Sequence, residues 1–157
     1  MENMHQLVAR VAALWNMHQC REVLYKQSMT LDNLGSLRQI CSQGFISSLL
    51  FQKDIQWIYD DIKCALSDGD IHNFVNKENA PVYTLPNENR AVLTRIIQDQ
   101  EYKSIKLYKE LLGLKNLTTD TYSIFTDHLD KLCDISYHLN KELTKYSPRH
   151  FALQRAV

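Results

Sequence analysis

Residues 4–29 read MHQLVARVAALWNMHQCREVLYKQSM, with no glycine and no proline among them. Within this stretch Met4, Val8, Val11, Trp15, His18, Glu22, Tyr25 and Met29 recur at alternating steps of four and three. That is the a/d repeat by which one helix lays a continuous seam against another. At 1.5 Å per residue the seam runs for roughly 40 Å.

The same pattern returns three more times. After a polar break at Thr30 to Asn33, with Asp32 as the expected N-cap, it resumes through Leu34, Leu37, Cys41, Phe45, Ser48, Gln52, Ile55, Tyr59, Ile62 and Leu66. Ile58 and Leu49 widen this second stripe, and Gly44 inside it suggests a close helix contact. Asp68-Gly69-Asp70 is a strong stop. A third stripe carries Leu93, Ile97, Glu101, Ile105, Tyr108 and Leu112 and closes at Gly113, a good residue just past a helix end. A fourth starts after Thr118 or Thr119 and carries Thr121, Phe125, His128, Leu132, Ile135, Leu139 and Leu143, with Pro148 beyond it.

The spacing predicts an all-α, antiparallel four-helix bundle with helices at about 4–29, 33–67, 88–112 and 119–146. Two tight hairpins flank one long connection, 68–87, which is the ferritin-like arrangement and not a simple up-and-down bundle. Twenty residues without periodicity is long for a compact domain, but Ile71, Phe74, Val75, Val82, Tyr83 and Leu85 suggest that the connection packs along the bundle. Neither half could bury its helices alone, so 1–147 reads as one domain and 148–157 as a tail.

Composition narrows the classes. Eighteen basic residues balance eighteen acidic ones, so there is no general attraction to nucleic acid or to an anionic membrane. The most apolar run, Phe45 to Phe51, is interrupted by two serines, far short of the roughly 20 residues a membrane span needs. Cys20, Cys41, Cys64 and Cys133 are too widely spaced for a CxxC pair; they read as buried thiols. The start of the chain has no basic segment followed by an apolar stretch, so it is not read as a secretory signal. A reducing cytoplasm is the expected compartment.

Ionisable residues fall where the seams should be apolar. His18 and Glu22 share a face of the first helix, Glu101 lies between Ile97 and Ile105, and His128 lies between Phe125 and Leu132. A buried carboxylate without a partner costs several kcal/mol, so such residues are rarely idle. Carboxylates and imidazoles converging from several helices are the ligand set of di-iron and di-manganese bundles. The full pattern needs a Glu-x-x-His on each of two helices. Here the residue three before His128 is Phe125, and the second helix has neither Glu nor His; Ser48, Phe51 and Gln52 stand in the ligand region, with Asp54 the nearest acid. Glu22, Glu101, His128 and His18 therefore amount to half a site. Two readings stay open: one divalent ion, iron or manganese, or a buried hydrogen-bonded cluster that fixes helix register.

Taken together, Arg21-Glu22-Val23-Leu24-Tyr25, Cys41-Ser42-Gln43-Gly44-Phe45 with Leu49-Leu50, then Leu93, Ile96, Glu101, Tyr108 and Leu111, then His128-Leu129 and Leu132 resemble a bacterial family of the ferritin-like superfamily, a domain of unknown function. In that family two long helical hairpins carry a tyrosine in each half. The resemblance covers about residues 8–145. It implies a ferritin-like four-helix bundle with no established reaction, and from the metal-binding branch it carries Glu22, Glu101 and His128 by position.

The expected function is a non-enzymatic module, self-associating or scaffold-like, with a stress-related role suggested by the resemblance alone and a degenerate metal site. One alternative is a protein that holds a single iron or manganese ion. A second is an adaptor that binds a protein partner through 68–87 or the tail.

Overall fold

A computed structural model describes residues 2–64, 89–115 and 117–146. Among them the chain forms four helices: α1, Glu2–Met29; α2, Leu37–Lys63; α3, Arg90–Leu112; and α4, Thr119–Thr144. The protein is an all-α four-helix bundle of two hairpins joined by the long connection 65–88. The expected stop at 68–70, the apolar residues of 68–87, Pro148 and the tail lie outside the described residues. No helix among those described is long and apolar enough to cross a membrane.

Local signals account for the ends. Asn89 caps α3, its side chain accepting from the Val92 amide at 3.2 Å. Thr118 does the same for α4 through the Thr121 amide. Each satisfies one of the amides that a helix start leaves without an intrahelical partner. The start of α2 corrects the expected one. It lies at Leu37, not 33, and Asp32 is an exposed turn residue. The reason is backbone geometry: Asn33 and Gly35 both take left-handed φ, 60° and 58°, which breaks the helical path after α1. Ser36 then gives its hydroxyl to Glu142 of α4 at 2.7 Å instead of capping α2. Helix α2 ends at Lys63, α3 begins at 90 and α4 ends at Thr144, each inside the expected range. Gly113 keeps an ordinary right-handed φ of −78°, so it is not a left-handed terminator.

Side-chain contacts fix the arrangement. Arg10 meets Glu110 and Arg21 meets Glu101, so α1 and α3 run antiparallel. Ser36 meets Glu142 and Asp54 meets His128, so α2 and α4 also run antiparallel. With antiparallel hairpins α1–α2 and α3–α4, the helices form a ring in the order α1, α2, α4, α3. Helices α2 and α3 are therefore parallel and diagonal. Arg90 lies beside Gly35, at the end of the bundle where α2 begins. With 27 residues, α2 is roughly 40 Å long. Cys64 and Asn89 thus lie at opposite ends of the bundle.

The core divides into two apolar clusters. One gathers Leu7, Val11, Leu14, Phe51, Ile55, Ile58, Leu111, Phe125 and Leu132; the other gathers Leu24, Leu34, Leu37, Cys41, Leu93, Ile97, Ile135 and Leu139. Polar side chains lie between them. Gly44 sits at this level. A Cβ there would run into the ring of Tyr25, which is fully buried and has no room to retreat. Helix propensity alone makes Gly44→Ala a gain of about 1 kcal/mol. The clash outweighs it, and a net loss of about 1–3 kcal/mol is expected, read as a lower urea midpoint. A variant as stable as the parent would show that the two helices can part without penalty.

Candidate functional site

The layer between the two apolar clusters is built by all four helices. Helix α1 contributes His18 and Arg21, α2 contributes Ser47, Phe51 and Asp54, α3 contributes Glu101 and Tyr108, and α4 contributes His128. Arg21 and Glu101 are fully buried and joined by Nε donating to Oε1 at 2.8 Å. Burial works against the guanidinium's charge, and Glu101 more than compensates, so its pKa is held above the ordinary arginine value. Arg21 Nη2 donates to the Ser47 hydroxyl at 2.9 Å, and Ser47 donates onward to the Gly44 carbonyl. The guanidinium carbon also lies 5.6 and 5.8 Å from the ring centres of Tyr25 and Phe51, within cation–π range.

A single file of hydrogen bonds leaves Arg21. Its Nη1 lies 3.1 Å from His18 Nδ1; His18 Nε2 lies 2.7 Å from the Tyr108 hydroxyl; that hydroxyl lies 2.7 Å from His128 Nδ1; and His128 Nε2 lies 2.8 Å from Asp54 Oδ2. The direction of each bond follows from the first. A guanidinium has only donors, so His18 Nδ1 accepts. The one proton of a neutral His18 is then on Nε2 and goes to Tyr108. Tyr108 donates to His128 Nδ1, and His128 Nε2 donates to the Asp54 carboxylate. Both imidazoles are neutral in this chain. Burial drives their pKa values down; for His18 the charge of Arg21 adds to it, and for His128 the hydrogen bond with Asp54 offsets part of it. Burial likewise pushes the Tyr108 phenol well up, so it keeps its proton.

The file ends at the surface. The Asp54 side chain is 51% exposed. Phe51 seals the interior side, stacked on His128 with ring centres 3.9 Å apart and edge-on to His18. Within the layer, the Tyr25 hydroxyl and Glu101 Oε2 make no hydrogen bond of good geometry among the described residues, although the hydroxyl lies close to the Glu101 carboxylate. Burial, then the nearby Glu101, pushes the Tyr25 phenol well up.

Three of the four residues singled out from the sequence, His18, Glu101 and His128, thus meet in one layer. Glu22 does not join them. It is half-buried on the neighbouring face of α1, where Gln52 Nε2 reaches its Oε2 only at 3.5 Å. Arg21, one residue earlier, takes the inward place. Glu101 Oε1 is taken by Arg21, and both ring nitrogens of both histidines are engaged. Among the described residues no three His, Cys, Asp or Glu side chains gather around a point that an ion could occupy. Sequence reasoning gave no role to Arg21 or Ser47 and named Asp54 only as the nearest acid on the second helix. A buried arginine leaves no periodic apolar signal, and Asp54 reaches His128 from the rim of α2.

Compared with models of protein families, with curated proteins and with solved structures, the chain matches none of them.

Two outcomes are expected of this layer. Between the folded and unfolded pKa values of His18 and His128 the unfolded chain binds more protons. Stability is therefore present above the ordinary histidine pKa near 6.5 and falls as the pH drops through it, by about 1.4 kcal/mol per pH unit for each histidine. Urea unfolding at pH 7.5, 6.5 and 5.5 reads this; a flat profile would mean the imidazoles are not held neutral. Separately, Arg21→Met leaves Glu101 buried without its cation and should cost about 3–5 kcal/mol, whereas Arg21→Met with Glu101→Leu should recover most of that loss. Equal losses in the single and double variants would mean that the pair is not what the layer depends on.

Proposed function

We propose that this chain is a non-enzymatic helical module of ferritin-like form that acts by associating with copies of itself, its polar layer serving to hold the two hairpins in register. The observation that carries this reading is the guanidinium of Arg21. It stands in the layer where a ferritin-like bundle would gather its ligands, and it uses Glu101 and His18 as its own partners. What remains of a metal site is degenerate. The parallel, diagonal placement of α2 and α3 supports the ferritin-like form, since it follows from two hairpins joined by one end-to-end connection. Among the described residues Asp54 is the one carboxylate of the file, and its side chain reaches solvent.

The rival reading, a single iron or manganese ion held by Glu22, Glu101, His128 and His18, draws support from the convergence of three of these residues. It requires Arg21 to leave a fully buried position and Glu22 to turn inward past it. The adaptor reading through 68–87 or the tail rests on sequence outside the described residues, and a stress-related role rests on the resemblance alone.

Metal analysis separates the first two readings. Protein purified from medium replete in iron, manganese and zinc should carry far less than one ion per chain. Adding Mn2+ or Fe2+ should leave the urea midpoint unmoved, where an ion present at 100 times its Kd would add about 2.7 kcal/mol. One ion per chain, lost in Glu101→Gln, would overturn the reading in favour of a metal-binding protein.

A further inference from the structure

Helix α2 is apolar on two sides. Its inner side carries Leu37, Ile40, Cys41, Phe51, Ile55 and Ile58. On the outer side Ile46, Leu50 and Trp57 stand 53%, 54% and 58% exposed, with Leu49 at their edge. The outer residues recur at steps of four and seven, so they lie along one stripe of the helix. Leu49, Leu50 and Ile46 also line a groove with Trp15 of α1, together with Gln52, Lys53 and Gln56. Among the described residues the other large exposed apolar side chains are Val92 on α3 and Tyr102, Tyr122 and Tyr137 on α3 and α4, the tyrosine hydroxyls suiting a wet surface. The aliphatic cluster among the described residues therefore lies on the α1–α2 hairpin. Exposed apolar patches of roughly 300–600 Å² on a monomer commonly mark an interaction site.

We infer that this face of α2 is a homodimer interface, in which the α2 helices of two copies pack antiparallel across a two-fold axis near Lys53 and Asp54, with Leu50 of each copy against Trp57 of the other. The inference rests on the self-association proposed above and names its surface. The charges of α2 favour a second copy over an unrelated apolar partner. Antiparallel pairing opposes the two helix dipoles head to tail. Near the axis, Lys53 of one copy comes to Asp54 of the other. Asp54 has an acceptor to spare: Oδ2 takes the proton of His128, and Oδ1 has no partner among the described residues. A strip one helix wide is small beside the roughly 800 Å² per partner of a standard interface, so a dissociation constant on the order of 10 μM is expected.

The test is sedimentation velocity of the full chain from about 1 to 100 μM, spanning that constant. The parent should pass from monomer to dimer over this range. Leu50→Glu and Trp57→Glu should each raise the dissociation constant by about 100-fold or more, because each places a charge in the centre of the interface. Tyr122→Glu, at an equally exposed site on α4, should leave it unchanged. Since all three residues are exposed in the monomer, melting of the dilute variants should match that of the dilute parent, which separates lost association from lost fold. In a Trp15→Phe background the emission of Trp57 should be that of a water-exposed indole when dilute and shift to the blue on concentration. A parent that dimerises while Leu50→Glu dimerises equally well overturns this interface and leaves self-association standing. A parent that stays monomeric at 100 μM overturns both; blue-shifted Trp57 emission in that monomer would assign the face to another segment of the same chain.

Discussion

Arg21 can only donate. Everything in the middle of the bundle is arranged around that constraint. Its guanidinium lies at the level where the two apolar clusters part, and each partner must bring an acceptor: a carboxylate from α3, a hydroxyl from α2, an imidazole nitrogen from the next turn of α1. Once His18 accepts on Nδ1, the proton positions on His18, Tyr108 and His128 follow one from another, out to Asp54. Reversing the file would put a proton on His18 Nδ1 facing the guanidinium, two donors with nothing between them. The file is therefore polarised and closed at its inner end. It suits holding four helices in a fixed relation better than passing protons through them.

Such a layer is an odd source of stability. Two ions drawn out of water recover little more than their desolvation, and a well-packed apolar replacement is often as stable. On the reading proposed above, what the layer contributes is register. Apolar seams of leucine and isoleucine tolerate sliding by a turn, since one branched side chain packs much like another. The Arg21–Glu101 pair, the Tyr108 hydroxyl between two imidazoles and the close approach of Tyr25 to Gly44 do not. A slip of one turn between hairpins would leave a buried guanidinium and a buried carboxylate apart, at several kcal/mol. The same reasoning explains why small residues collect here: Gly44, Ser47, Ser48 and Ser104 are buried among the large polar side chains and give them room.

The sequence made the bundle legible because its signal is repeated. Four seams, two short breaks and one long one leave few other folds, and along α4 the expected inner positions from Thr121 to Leu139 are the buried ones. The site was harder to read, for a definable reason. On α1 the expected seam used Val8, Trp15, Glu22 and Met29 as one of its two rows. The buried row is Leu7, Leu14, Arg21 and Ser28, one residue earlier, while Val8 remains buried beside it. The first set is the more apolar, so hydrophobic spacing prefers it. An arginine and a serine in the true row look like solvated residues until their partners on other helices are known. That displacement exchanged Glu22 for Arg21, and with it a ligand for a cation. On α2 the same displacement favoured Phe45, Gln52 and Tyr59 over Gly44, Phe51 and Ile58.

The displacement has one physical origin. Helices α1 and α2 carry apolar residues on more of their circumference than the core can cover, so periodicity alone cannot choose which stripe faces inward. On α2 the excess lies at Ile46, Leu50 and Trp57; on α1 it includes Trp15, at the edge of the same groove. On α4, where apolar residues keep to one stripe and the far side carries Asp127, Asp130 and Asp134, the inner face reads correctly from Thr121 to Leu139, and only its last position shifts, from Leu143 to Glu142. A rotation hard to read from sequence and an uncovered apolar face are thus two views of one surplus. In the structure the buried polar residues resolve the choice, because only one rotation of α1 brings Arg21 to Glu101. The apolar residues they displace from the core are left on the outer face of the first hairpin.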